Sequence, residues 1–174
     1  MMDLKSLKTF WLSTVERRNN LNKPVIGFKL LCEGARLPQR ATRSSGAFDF
    51  YAPRAGAVQP GKSVNIPVGV AHQLLTPEDS KWPSELALQG LVLSRSGLAT
   101  KSGIRLFYEG LVDHDYRGEI HICIENTSRN MFLWAAGDRL CQMLYIPCWM
   151  GDGVEITELD ETERGTGGFG STGR

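Results

Sequence analysis

The chain lacks most of the marks of a specialised class. None of its four cysteines (Cys32, Cys123, Cys141 and Cys148) belongs to a C-x-x-C pair, which argues against a zinc site or a disulfide framework. Their apolar neighbours suit reduced, buried thiols and a cytoplasmic setting. The three histidines, His72, His114 and His121, show no metal-ligand spacing. There is no run of 18 or more apolar residues, hence no membrane partner through a spanning helix. The N-terminus has no secretory hydrophobic region. A net charge of +1 leaves little for nucleic acid, which would need a clustered basic face; Arg36, Arg40 and Arg43 read equally well as a solvated loop. The glycine-rich ending "RGTGGFGSTGR", Arg164 to Arg174, has the G-x-x-x-x-G spacing of a nucleotide loop. It lacks the lysine and the following helix, so a Walker loop is excluded.

What is present fits one domain. The 174 residues, 41% hydrophobic and 22% charged, suffice for a sizeable core. Leu4, Leu7, Trp11 and Val15 fall at helical spacing, which predicts an amphipathic helix within an extension over residues 1–22. It would pack on its own body or on a neighbour. A mitochondrial presequence fits less well, because Asp3 and Glu16 interrupt the basic side. From Pro24 onward the pattern is of short strands between turns: "PVIGFKLL", "FDFYA", "SVNIP", "GVAHQLL", "ELALQGLVL", "EIHICIEN", "MFLWA", "RLCQMLYIP" and "GVEITEL". The alternation of Ile120, Ile122 and Ile124 against His121, Cys123 and Glu125 is the cleanest period of two. Many short strands predict an all-β barrel or sandwich.

Four stretches carry residues that a packed sheet does not need. "SRSGLA", Ser94 to Ala99, sets Arg95, two hydroxyls and Gly97 after an apolar strand; it reads as a phosphate binder or as a polar turn. "GLVDHDYRGE", Gly110 to Glu119, holds Asp113 and Asp115. If extended, the two carboxylates share one face, as a metal pair or an oriented base requires; otherwise the run is a surface hairpin. Gln142 in "GDRLCQM" needs a partner if buried. Asp49, between phenylalanines in "SGAFDFYA", needs a cation or donors. The glycine-rich end is either a frayed tail or a cradle of backbone N–H groups for an anion.

In this order along one β-rich chain, the stretches resemble the five motifs of the trimeric dUTP pyrophosphatase (dUTPase) family. "GAFDFYA" is similar to the first, "SRSGLA" to the second, "GLVDHDYRGE" to the third, "GDRLCQML" to the fourth and "RGTGGFGSTG" to the fifth. The resemblance runs from about Pro24 to Gly173. It implies a distorted, jelly-roll-like β-barrel over residues 23–160. A mobile arm over 161–174 would close on a neighbouring subunit's site in a homotrimer. It also implies hydrolysis of dUTP to dUMP and pyrophosphate by in-line attack of water on the α-phosphorus, with Mg²⁺ as cofactor. Asp113 would be the general base and Asp49 would reach the metal through water. Arg95, Ser96, Gly97, Gly110 and Gln142 would bind substrate, and Tyr116 would lie under the deoxyribose and exclude a 2′-hydroxyl. From the arm, Arg164 would meet the γ-phosphate, Gly170, Ser171 and Thr172 would add donors, and Phe169 would stack on the base. Because an aspartate is a weak base at neutral pH, electrostatic stabilisation must supply much of the rate.

The chain departs from the family pattern in two places. Gly46 and Ala47 stand in reversed order before Asp49. The hairpin ahead of Asp113 carries Tyr108 and Glu109 and is one residue short, which bears on how the base is read. Alternatives from other classes are a related dCTP deaminase and a nucleotide-gated trimeric binding protein with a partner on its N-terminal helix. The glycine-rich arm favours the pyrophosphatase. The expected location is the cytoplasm, or the nucleus or host-cell cytoplasm for a viral chain.

Overall fold

Why these residues make strands is plainest in the order of burial. In β9 (His121–Asn126), Ile122, Ile124 and Asn126 are buried while His121 is exposed, so the period of two in the sequence is the period of the pleat. The computed structural model describes residues 25–75 and 83–167; the expected helix within 1–22 and residues Phe169, Gly170, Ser171 and Thr172 lie outside them. The other strands are β1 (Val25–Leu30), β2 (Phe48–Tyr51), β3 (Gly56–Val58), β4 (Ser63–Pro67), β5 (Val70–Leu75), β6 (Leu86–Ser94), β7 (Ile104–Leu106), β8 (Leu111–Val112), β10 (Phe132–Trp134) and β11 (Arg139–Trp149). Among the described residues one helix, α1 (Ser96–Ser102), interrupts them.

All pairings between these strands are antiparallel. They form a four-stranded sheet in the order β2-β11-β6-β8 and a three-stranded sheet β4-β9-β7, with two-stranded sheets β1-β5 and β3-β10. Phe50, Val58, Ile66, Val70, Val92, Ile104, Ile124, Trp134 and Met143 share one core. Those residues come from nine strands, so the sheets wrap a common interior and the all-β expectation holds. The longest strand, β11, is flanked by β2 and β6 on its two edges. A Cβ at Gly90 of β6 would lie 2.6 Å from the Met143 sulfur, so a larger residue there would displace the fully buried Met143 side chain. Asn126, fully buried, donates to the carbonyls of Val58 and Asn130 and accepts from Ser128. It ties β3 to the loop before β10 at no cost in unpaired polar groups.

The structure corrects several local expectations. "SRSGLA" is not a simple turn: Arg95 is the N-cap of α1, and Gly103, at φ 65°, ends the helix in the left-handed region. β3, β7 and β8 are too short to show a period and were not foreseen. "GVEITEL" forms no strand in this chain. It runs past the end of β11 with Val154 82% and Ile156 59% exposed, since a strand needs an edge to pair with. Only Cys141 among the thiols is buried, and Cys32 is exposed.

Candidate active site

The chain crosses from one sheet to another at residues 107–110. The Phe107 N–H donates to the Cys123 carbonyl at 2.8 Å, keeping that end on β9. Gly110 accepts from the Val92 N–H at 3.0 Å, placing the other end on β6. The strands diverge between these anchors and leave a cavity of about 350 Å³. Its walls include Leu106, Tyr108, Gly110, Asp113, Tyr116 and Cys123. Beside β6, Val112 pairs with Gly90 and Leu111 with Leu91, so Leu111, in the non-hydrogen-bonded register, turns its own N–H and C=O away from β6. That is backbone available to read a planar polar edge.

Asp113 follows β8 and begins a turn, its carbonyl accepting from the Tyr116 N–H at 3.0 Å. The turn overturns the extended reading of Asp113 and Asp115 as a metal pair. Both are exposed, and no group of three or more metal-capable side chains occurs among the described residues. The Tyr116 hydroxyl donates to the Glu119 carbonyl at 2.9 Å, and Glu119 in turn accepts from the Gly69 N–H at 2.8 Å. These bonds hold the tyrosine ring at the cavity wall.

Two buried polar side chains reach the turn from below. His72 of β5 places Nε2 3.1 Å from the Asp113 carbonyl oxygen and Nδ1 2.8 Å from the Tyr145 hydroxyl. Gln89 of β6 accepts the His114 N–H at 2.8 Å. Burial lowers the His72 pKa below its ordinary 6.5; the Asp113 carbonyl opposes that shift, and Arg117 and His114 add to it. Burial also pushes the Tyr145 phenol up, so it remains a neutral hydroxyl.

A second cluster is ionic. Asp49, 7% exposed, meets the Arg95 Nε at 3.3 Å through one oxygen and Arg139 Nη1 at 3.1 Å through the other. Arg95 also donates to the Arg139 carbonyl at 3.1 Å. Gln142, opposite Asp49 in the β2–β11 register, donates to the Ser94 carbonyl at 3.1 Å. The partners that the sequence demanded for Asp49 and Gln142 are therefore present. Ser96 and Gly97, in the first turn of α1, are exposed, and a Cβ at Gly97 would meet nothing within 4 Å. The adjacent Cys141 thiol is pushed up to about 12, by burial first and then by Asp49; it is inert.

The two clusters do not meet within one chain. Asp113 continues from the residue opposite Gly90, and Arg95 lies five residues beyond Gly90, roughly 16 Å along an extended strand. Arg164 is exposed, and its Nε donates to the Gly167 carbonyl at 3.1 Å. Sequence reasoning missed His72, Gln89, Arg139 and Tyr145. The available signal was a histidine and a glutamine inside otherwise apolar strands, where burial demands partners.

A β-barrel-like chain with a base-sized cavity, an acid beside it and a separate guanidinium cluster defines a nucleotide-binding class. A profile of the dUTPase family matches residues 33–173. The deoxyuridine 5′-triphosphate nucleotidohydrolase of Desulfitobacterium hafniense is 38% identical over 141 residues, spanning 79% of this chain and 87% of that protein. The enzyme of the same name from Neorickettsia sennetsu is 39% identical over 140 residues, with 79% and 87% covered. This chain belongs to the dUTPase family and is an enzyme. The fold agrees: the Staphylococcus bacteriophage 80alpha dUTPase with dUPNHPP superposes with a TM-score of 0.70 at 24% identity, covering 86% of this chain and 99% of that one. A mutant phage phi11 dUTPase, described with a structural Mg(II) ion, gives 0.67 at 21% identity, covering 79% and 99%.

Proposed function

We propose that the enzyme hydrolyses dUTP to dUMP and pyrophosphate, in a homotrimer whose sites are each assembled from more than one copy. The observation that carries this reading is the separation just described. The cavity with Gly110, Asp113 and Tyr116 suits a deoxynucleoside. The groups suited to a triphosphate, Arg95, Ser96, Gly97 and Gln142, sit at the far end of β6. A second copy that brings its cluster to the first copy's cavity unites them. The exposed Val154 and Ile156, two apart and with no partner edge among the described residues, favour exchange of this segment between copies.

In the assembled site, Asp113 accepts the proton of a water aligned on the α-phosphorus. Tyr116, fixed by its bond to the Glu119 carbonyl, leaves no room for a 2′-hydroxyl. Arg95, restrained by Asp49, and the donors of Ser96 and Gly97 meet the phosphates, and Gln142 lies beside them. Arg164 and the following residues, including Phe169, Gly170, Ser171 and Thr172, close over the nucleotide and exclude bulk water other than the attacking molecule.

The donor set fits Mg²⁺ carried on the triphosphate. One carboxylate, Asp49, keeps lone pairs for a metal-bound water after pairing with two arginines, and Mg²⁺ is commonly held through few carboxylates, waters and substrate phosphates. When bound it neutralises phosphate charge.

Subunit mixing tests the shared site. Asp113→Asn and Arg95→Ala homotrimers should each be nearly inactive, whereas co-refolding equal amounts should restore up to about a quarter of wild-type turnover through random assembly. Complete failure to complement, with mixed trimers demonstrated, places both groups in one chain's site. Turnover of dUTP, dCTP, dTTP and UTP under one condition tests the substrate. A rate constant kcat/KM for dCTP or dTTP at or above that for dUTP would show that the short hairpin with Tyr108 and Glu109 reads another base.

A further inference from the structure

Burying a polar side chain is unfavourable unless it is fully paired. Among the described residues the buried polar or charged side chains are Asp49, His72, Gln89 and Asn126. Asp49 and Asn126 have the local tasks given above. His72 and Gln89 both serve one short piece of backbone, the Asp113–His114 turn. Nothing in the proposed chemistry uses either side chain directly.

The chemistry of the His72 bonds fixes more than position. A backbone carbonyl only accepts, so the contact with the Asp113 oxygen requires the proton on Nε2. A neutral imidazole then has a bare Nδ1, which accepts from the Tyr145 hydroxyl. The order of donation is Tyr145 to His72 to the Asp113 carbonyl, from the four-stranded sheet through β5 to the turn. Tyr145 is anchored in turn by edge contacts with Phe48, ring centroids 6.0 Å apart.

We propose that His72, locked by Tyr145 as the Nε2–H tautomer, is a positioning residue that fixes the direction of Asp113 by holding its main-chain carbonyl. This rests on Asp113 being the base. Gln89 holds the next peptide through the His114 N–H, so the carboxylate projects from a turn tied on both sides. Losing one tie lets the carboxylate swing away from the attacking water while the cavity still binds the nucleoside. The consequence falls on kcat rather than KM.

The test compares donors of matched reach. His72→Phe, which fills the space without a donor, should lower kcat for dUTP about 10- to 100-fold, the usual effect of misplacing a reacting group by an ångström or so. Its KM should stay within about threefold of wild type. His72→Gln, whose amide can reach the same carbonyl, should recover most of the loss. In the wild-type protein, ¹⁵N NMR of labelled histidine should show the Nε2–H tautomer for His72, and Tyr145→Phe should disturb that pattern with a smaller fall in kcat. A folded His72→Phe with wild-type kcat overturns the proposal, as does an Nδ1–H tautomer. If His72→Phe does not fold, unchanged tautomer and unchanged kcat in Tyr145→Phe overturn it. Asp113→Asn is run in parallel: full activity there refutes the base assignment, while the tautomer spectrum still reports the bond itself.

Discussion

The two clusters on β6 handle polarity in opposite ways. Beside the cavity, the carboxylate of Asp113 is exposed, and what the fold buries beneath it is neutral: an imidazole, an amide and a phenol. Level with Leu93, about 10 Å further along the strand, the carboxylate of Asp49 is buried, and the charges that reach solvent are guanidinium groups. The proposed role of Asp113 as base needs a carboxylate accessible to water, and its support is supplied through the backbone. The two neighbouring guanidinium groups repel one another, and the buried anion between them holds both in place.

The largest expected effect is at the exposed carboxylate. Asp113→Asn should lower kcat about 10²- to 10⁴-fold with nucleotide binding by calorimetry nearly unchanged; a variant with normal turnover would erase the functional contrast between the clusters. Next is the arm. Deleting residues 164–174 should cost about 10²-fold or more in kcat, the scale of lost charge stabilisation. Its melting temperature should not change, because the described residues from 161 to 166 are exposed. A truncated protein that dissociates would make the arm structural instead.

The ionic cluster gives a smaller and mixed effect. Asp49→Ala leaves Arg95 and Arg139 without their shared anion, and should destabilise the fold by on the order of 3 kcal/mol, less where the arginines are solvated. Chemical denaturation measures this, and a loss of about tenfold in kcat/KM should accompany it as Arg95 loses its fixed place. The smallest effect is the pH dependence of stability that the neutral cluster carries. With its pKa lowered in the fold, His72 binds a proton more readily when unfolded. The stability from keeping it neutral is therefore complete above about pH 6.5 and declines as the pH falls toward the folded-state value. Arg117 and His114, the charged or titratable neighbours, act in the same direction as burial. Melting temperature against pH should fall less steeply for His72→Gln below pH 6.5, and an identical slope would remove His72 from the titration.

How much was legible depended on the range of the interaction. The isoleucines of β9 declared a strand because alternation is local, and eight of the nine expected strand runs are strands here. "GVEITEL" has the same local pattern but finds no edge among the described residues. Arg95 and Asp49 were recognised singly through their motifs, yet their pairing, and the part of Arg139 in it, joins residues 46 to 90 positions apart. His72 was read only for metal spacing and found wanting. Its role depends on Asp113 and Tyr145, 41 and 73 residues away.

The sequence by itself determined the strand periodicity, the motif order and the need of Asp49 and Gln142 for partners. Those follow from side-chain chemistry and from spacing within a few residues. Only the tertiary structure decided that Asp113 stands on a turn held by His72 and Gln89, and that Asp49 binds two arginines. It alone set Asp113 beside the middle of β6 and Arg95 just past that strand's end. Strand pairing brings distant residues together, and its register, fixed by packing such as Gly90 against Met143, decides which of them meet.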